Sequence, residues 1–348
     1  MAEKPVKSGA IGALKKDLKE KTLKNLYIFH GEETFLLHYY LEAIKKELID
    51  ELTESFNYHK LTAETFDVQT FADAVENLPM MAEHTFIWVD DVDFFKLSES
   101  DREKMTELLS DIPEYCTVVF TYIATPWKPD KRLKKLYEAI ENHAFEVPFD
   151  KQEHRDLIAW VTRHFAAEKK RITPDLCSYL IEITGGTMTA LAGEIAKICA
   201  YSDSDMIVRE DIDAVTEPVL DAVVFQMTNF MSQGNYGAAL IKLRQLLKMQ
   251  EEPVVILGTI GGHFRKISTA RTLKDHGRPY SELIRLYKMG DYAARKTMDS
   301  AAGFSAKFCQ VASQLVLETD YAMKTSYDDP QRLLEILIVR LAQEARNG

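Results

Sequence analysis

The chain has no run of eighteen apolar residues, so nothing in it predicts a membrane-spanning helix. Its opening residues, Met1 to Lys7 followed by Lys15, Lys16 and Lys19, lack the apolar core and small-residue cleavage site of a secretory leader. Cysteine is scarce. Cys116, Cys177, Cys199 and Cys309 lie far apart and form no CxxC pair, which leaves neither a zinc knuckle nor a redox dithiol. Buried, reduced thiols in a cytoplasmic protein are the expectation. The nine histidines never form HExxH, no GxSxG nucleophile elbow occurs, and no cysteine is flanked by a base. No catalytic residue and no metal-ligand set is therefore assigned.

What is present is 348 residues with 46% hydrophobic content, enough for two or three domains. Lysine and arginine number 43 against 54 acids, a net charge of −11 with a pI near 5.4, and as a whole that counts against a nucleic-acid binder. The charge is polarised, however. Residues 218–348 hold 17 basic and 13 acidic side chains, a net of +4, which leaves 1–217 at −15. Within Arg265 to Lys307 ten basic residues face four acids, with Tyr280, Tyr287, Tyr292, Phe304 and Phe308 interleaved. Such cations neutralise phosphates and such aromatics stack on unpaired bases. Composition alone favours solvated helix faces with core aromatics.

Periodicity divides the chain. Leu26–His30, Tyr58–Ala63, Thr85–Asp90, Thr117–Ile123 and Ala144–Val147 are β-branched and aromatic runs of strand length. Helical patterns lie between them over Glu33–Asp50, Ser100–Leu109 and Arg132–Ile140. This alternation predicts βαβ units and a mostly parallel, doubly wound sheet over 1–148. Beyond Pro148 only helical patterns continue. Glu153–Ala167, Asp175–Ile183 and Ala190–Tyr201 predict a small helical domain, 149–217, punctuated by Gly185-Gly186. Further helices fill 218–348, with Pro253, Pro279 and Pro330 at helix starts.

A phosphate-binding loop needs glycines that turn backbone N–H groups toward the phosphates, a lysine, and a Ser or Thr for Mg²⁺. After the first strand this chain has His30-Gly31-Glu32-Glu33, with one glycine, no Gly-Lys pair and two carboxylates. Those acids repel a triphosphate and suit a tight turn at a helix N-terminus. No cofactor is expected there. Asp90-Asp91 ends the third strand where a Mg²⁺-holding acid would sit, but without the lysine it does not predict a metal.

Several stretches, in order, carry a family resemblance: Leu26 to Glu33, Asn77-Leu78-Pro79-Met80-Met81, Gly186 to Leu191 with Glu194 and Lys197, and Gly234 to Leu240 with Leu246-Leu247. They continue with His263-Phe264-Arg265, Asp320 to Thr325, Asp329-Pro330, and the apolar helix Leu333 to Leu341. The chain resembles the delta subunits of the bacterial DNA polymerase III clamp loader, relatives of AAA+ proteins whose ATP site has degenerated. The resemblance covers essentially the whole chain. It implies an AAA+-like α/β domain, a small helical lid-type domain, and an all-α collar over 218–348 that joins other loader subunits. An arginine that senses the γ-phosphate in active relatives is missing from Thr187-Met188-Thr189-Ala190.

The implied role is mechanical: to bind and open the ring-shaped sliding clamp (the beta subunit) so that an ATP-driven loader places it on primed DNA. The implied partners are that clamp, the ATP-binding tau/gamma subunits, delta prime and primed DNA, with no membrane. By position Met80 and Met81 are the clamp anchors and Leu78 and Pro79 shape the turn. Many relatives have leucine and phenylalanine there, and two thioethers give a less rigid contact. Pro79 breaks any helix, and two adjacent large apolar residues in a short connection cannot easily both point inward, although a cap on the sheet core fits the same residues. Tyr327 stands where an aromatic stacks near the primer-template junction, or else closes its turn as a core residue. Lys324, Arg265 and Lys266 are the accompanying DNA-binding candidates. Two other functions fit the same chain: an ATP-hydrolysing AAA+ enzyme with an atypical phosphate loop, and a helical DNA-binding adaptor unrelated to clamps.

Overall fold

The computed structural model describes residues 9–347, so Met1 to Lys7, read above for a leader, lie outside the described residues. Two compact units divide the chain at Lys151/Gln152. Among the described residues no helix is long and apolar enough to cross a membrane.

The first unit runs α1 (Ala10–Glu20), β1 (Leu26–His30), α2 (Thr34–Leu48), α3 (Glu54–Asn57), β2 (Tyr58–Thr62), α4 (Val68–Glu76), β3 (Thr85–Asp90), α5 (Glu99–Ser110), β4 (Cys116–Tyr122), α6 (Lys134–His143) and β5 (Phe145–Pro148). Its five strands pair in the order β2-β3-β4-β1-β5. Every pairing is parallel, with Leu26 opposite Val118, Tyr27 opposite Phe145, Tyr58 opposite Phe86 and Thr85 opposite Cys116. Central β4 is buried along its whole length, as a strand covered on both faces must be.

Alternation sorts the two faces. Tyr27, Phe29, Phe86, Val119 and Val147 pack on α1 and α2 through Leu14, Leu37, Leu41 and Ile44. Leu26, Ile28, Ile87, Val118 and Phe120 face α4, α5 and α6 through Phe71, Val75, Met105, Leu109 and Leu136. Helices α1 and α4 are not among the helical patterns read from the sequence. In α1 only Ala10 and Leu14 are buried amid lysines, and α4 is a nine-residue helix with two Val, a Thr and a Phe, whose start is fixed by Asp67 accepting the Thr70 N–H.

The second unit is helical throughout: α7 (His154–Ala167), α8 (Pro174–Ile183), α9 (Met188–Tyr201), α10 (Arg209–Val215), α11 (Leu220–Ser232), α12 (Tyr236–Lys248), α13 (Pro253–Asp275), α14 (Ser281–Tyr287), α15 (Asp291–Ser300), α16 (Ala306–Thr325) and α17 (Pro330–Asn347). Short α10 is another helix the sequence reading omits. Pro253 and Pro330 open α13 and α17, whereas Pro279 stands two residues ahead of α14. Helix α13 is the axis of the larger core, burying Ile256, Ile260, Phe264 and Ile267. Gly261 lets α16 approach: a Cβ there would meet the Val316 side chain at 2.9 Å. His263 on α13 is buried against Phe225 and hydrogen-bonds Thr228 Oγ1 at 3.0 Å, and burial pushes its pKa down to about 4.

Helices α7 and α8 are tied to α15 by two contacts: the His154 ring stacks on Tyr292 at 3.7 Å, and Lys296 reaches Glu182 at 3.1 Å. The cysteines differ slightly from expectation. Cys116, Cys177 and Cys309 are buried thiols, but Cys199 on α9 is half-buried, one position past the buried stripe of Leu191, Ile195 and Ile198.

Candidate functional site

The loop joining α4 to β3 carries Leu78, Pro79, Met80 and Met81. Asn77 caps α4 with extended backbone, and Pro79 prevents the helix from resuming. Leu78 is 73% exposed, Met80 55% and Met81 94%, so neither methionine side chain belongs to the sheet core. The sequence reading gave Leu78 a turn-shaping role, yet its side chain points to solvent alongside the methionines, and only Pro79 is half-buried. Met81 holds a left-handed φ of 54°. That conformation is unfavourable for a long side chain and persists only where surroundings impose it.

Asn57 imposes it. This side chain, 1% exposed at the end of α3, donates to the Met80 carbonyl at 2.9 Å and accepts the Met80 N–H at 2.7 Å. Both main-chain groups of Met80 are thereby satisfied from within, and its side chain is left free to face outward. Sequence reasoning missed Asn57, since an asparagine ahead of a β-type run reads as an ordinary turn residue and its partner lies 23 positions away. Replacing it leaves buried groups unpaired, a loss of roughly 1–3 kcal/mol. Asn57→Ala is expected to lower the urea midpoint accordingly and to speed amide exchange at Met80; unchanged exchange there contradicts the tether.

In the turn after β1, the strand delivers His30 and Gly31, and Glu33 precedes α2. Gly31 has φ 132°, and an added Cβ would lie 2.2 Å from the Phe149 carbonyl oxygen. The Glu33 N–H donates to that same oxygen at 2.9 Å, and the Phe149 N–H donates to the His30 carbonyl at 2.7 Å. Main chain following β5 thus packs directly against Gly31 and takes up the Glu33 N–H. Glu33 is buried, which pushes its carboxyl above the usual carboxylate range against the opposing pull of the Phe35 N–H and Lys151. His30 Nε2 pairs with Glu146 at 2.9 Å, and Glu32 is exposed.

The acids after β3 also have structural work. Asp90 accepts the Thr121 hydroxyl at 2.7 Å, while Asp91 accepts the N–H groups of Ile123, Ala124 and Thr125 at 2.9, 3.1 and 2.8 Å. Among the described residues no cluster of three or more His, Cys, Asp or Glu could hold a metal ion.

The DNA-binding candidates are not brought together. Gly261 of α13 lies against Val316 of α16, and Arg271 and Asp275 of α13 lie near Cys309, so the two helices run antiparallel. Lys324 therefore sits about twelve residues beyond the point opposite Arg265, roughly 18 Å along the axis at 1.5 Å per residue. Tyr327, in the α16–α17 turn, is fully exposed and closes no core. Lys324 beside it pairs with Asp320 at 2.7 Å. Arg265 is exposed and Lys266 half-buried. Of the ten cations between Arg265 and Lys307, Arg271, Arg278, Arg295 and Lys296 are held in ion pairs, so the free basic surface is smaller than composition implies.

Comparison with known proteins agrees across both units. Residues 27–150 match the family model described as DNA polymerase III, delta subunit, and residues 221–341 match that of the DNA polymerase III delta subunit, C-terminal domain. The chain belongs to the DNA polymerase III delta-subunit family. It is 26% identical over 333 residues to the DNA polymerase III subunit delta of Bacillus subtilis (strain 168), covering 94% of this chain and 95% of that one. It is 20% identical over 269 residues to the probable DNA polymerase III subunit delta of Aquifex aeolicus (strain VF5), with 75% of each covered. The fold is that of the Bacillus subtilis DNA clamp loader delta protein, with a TM-score of 0.67, 24% identity, and 96% and 99% of the two chains covered. In this delta-family chain an α/β unit with a parallel sheet is followed by helical parts, as the sequence predicts.

Proposed function

We propose that this chain captures the sliding clamp through Leu78, Met80 and Met81, favours an opened clamp interface, and leaves ATP binding and hydrolysis to partner subunits. The observation that carries the reading is an exposed apolar loop whose backbone is pinned by a buried asparagine. Exposed large apolar side chains in a fixed conformation are the usual anchors of an interface, because little entropy is lost on docking. Co-elution of the purified chain with the sliding clamp in buffer without nucleotide tests it; separate elution at micromolar concentrations overturns it.

A non-catalytic role is supported by the phosphate loop. Its missing lysine, its buried Glu33 and the Phe149 main chain in front of Gly31 each oppose a triphosphate. We assign residues 1–148 to clamp binding, 149–217 to a lid-type domain and 218–348 to a collar. The collar would meet the tau/gamma and delta-prime subunits. Leu317 and Tyr321 on α16, with Ile336 and Val339 on α17, are exposed beside the Glu318–Arg340 ion pair that joins those helices, and suit such a contact.

Primed DNA is the third partner. Tyr327 presents its ring entirely to solvent at a helix–helix turn, and stacking a base on such a ring contributes about 1–3 kcal/mol. Tyr327→Ala is expected to weaken primer-template binding by the assembled loader about tenfold or more, leaving clamp affinity unchanged; equal affinity in a DNA titration removes the residue from the DNA site.

A further inference from the structure

The α/β unit carries a basic island that neither the clamp loop nor the collar accounts for. Lys128, Lys131, Arg132, Lys134 and Lys135 fall within eight residues that contain one acid, Asp130, in a portion of the chain whose net charge is otherwise strongly negative. All five cations are exposed. Asp130 pairs with Arg132 at 2.7 Å, so among the described residues Lys128, Lys131, Lys134 and Lys135 have no ion-pair partner. We propose that this segment is a binding surface for nucleic-acid phosphates, separate from the collar candidates.

Two features distinguish it from an ordinary solvated charge run. The segment is pinned upstream: Asp91 ties down the N–H groups of Ile123, Ala124 and Thr125, and the Trp127 ring packs 4.7 Å from Tyr122 and 5.9 Å from both Phe94 and Phe95. Pro126, between the anchors Thr125 and Trp127, and Pro129, within the basic run, stiffen the chain. The loop therefore presents its lysines from a fixed backbone, and the ordering of that backbone is already met by folding.

The second feature is placement. Lys134 and Lys135 occupy the first turn of α6, which has no acid there, and Leu133 supplies no capping side chain. The positive end of a helix disfavours cations, so this arrangement opposes folding locally and is relieved when an anion binds. Repeated phosphates suit a row of separate cations better than an acidic protein surface does. The apolar side chains within the row, Pro129 and Leu133, are half-buried and give a protein partner no anchor. The choice of DNA as the polyanion rests on the family reading; the geometry of the surface does not.

The test uses the full chain carrying Lys128→Ala, Lys131→Ala, Lys134→Ala and Lys135→Ala together. Its affinity for fluorescent duplex, single-stranded and primer-template DNA is measured by anisotropy from about 50 to 200 mM salt. Four phosphate contacts correspond to a slope of log affinity against log salt shallower by about 3 to 4, and to at least about tenfold weaker binding at the lowest salt. Thermal stability is expected to hold or rise, since cations leave a helix N-terminus, and clamp co-elution is expected to persist. Retained clamp binding with lost DNA binding separates this inference from the clamp reading. Wild-type affinity and slope in the variant overturn it, as does binding to anionic lipid vesicles without binding to any of the DNAs.

Discussion

A chain carrying Met80→Ala and Met81→Ala is expected to bind the sliding clamp about a hundredfold more weakly than the wild type while keeping its fold. Interface residues that matter cost more than about 1 kcal/mol each on truncation, and two losses of about 1.4 kcal/mol correspond to two orders of magnitude. The fold is spared because the methionine side chains make no core contact. The loop is held through the main chain of Met80 and the amide of Asn57, which alanine leaves in place. Surface truncations of this kind stay within about 0.5 kcal/mol in unfolding. Biosensor titration against immobilised clamp, with a parallel urea curve, reads both quantities. Wild-type affinity in the double variant removes the loop from the interface. A collapse in stability instead means that the methionines are structural.

The second large effect is on stability. Gly31→Ala is expected to destabilise the α/β unit by about 3 kcal/mol or more. Its Cβ would lie 2.2 Å from the Phe149 oxygen, 2.6 Å from the Phe149 carbonyl carbon and 2.9 Å from the Phe149 nitrogen, none of which is the end of a flexible side chain. A φ of 132° adds strain for any residue with a Cβ. Moving Phe149 away would break its two main-chain hydrogen bonds to the loop, each near 1 kcal/mol and more when a buried partner is left unpaired. Chemical denaturation followed by far-UV circular dichroism measures the loss. An unchanged midpoint means that the main chain after β5 does not press on Gly31, and the argument against a bound triphosphate loses its geometric support.

The strands were legible because each is a short β-branched or aromatic run, and the fully buried β4 is the most continuous of them. The exposed loop was legible as well, since Pro79 and a pair of large apolar residues mark it locally. What holds that loop was not. The Asn57 side chain acts on Met80 from another element, and only the packed sheet brings the two together. The same limit hid the packing of Phe149 against Gly31. A missing lysine is visible in a sequence, whereas a carbonyl arriving from the end of β5 is a consequence of strand order. In the helical unit, the sequence reading joined Arg265 and Lys266, picked out by charge, to Lys324 and Tyr327, picked out by the resemblance. The register of α13 against α16, set by the close approach at Gly261, separates them. Helix α4 escaped because nine residues of modest propensity hold together by packing Phe71 and Val75 on the sheet, which local pattern does not report.

The central claim is that this chain grips the sliding clamp by itself, with nucleotide playing no part in its own contact. Titrating labelled clamp with the purified chain, once without nucleotide and once with saturating ATP and Mg²⁺, tests it most directly. The expected result is tight binding with the same dissociation constant in both titrations. No binding, or binding that appears only when ATP is present, would contradict the account.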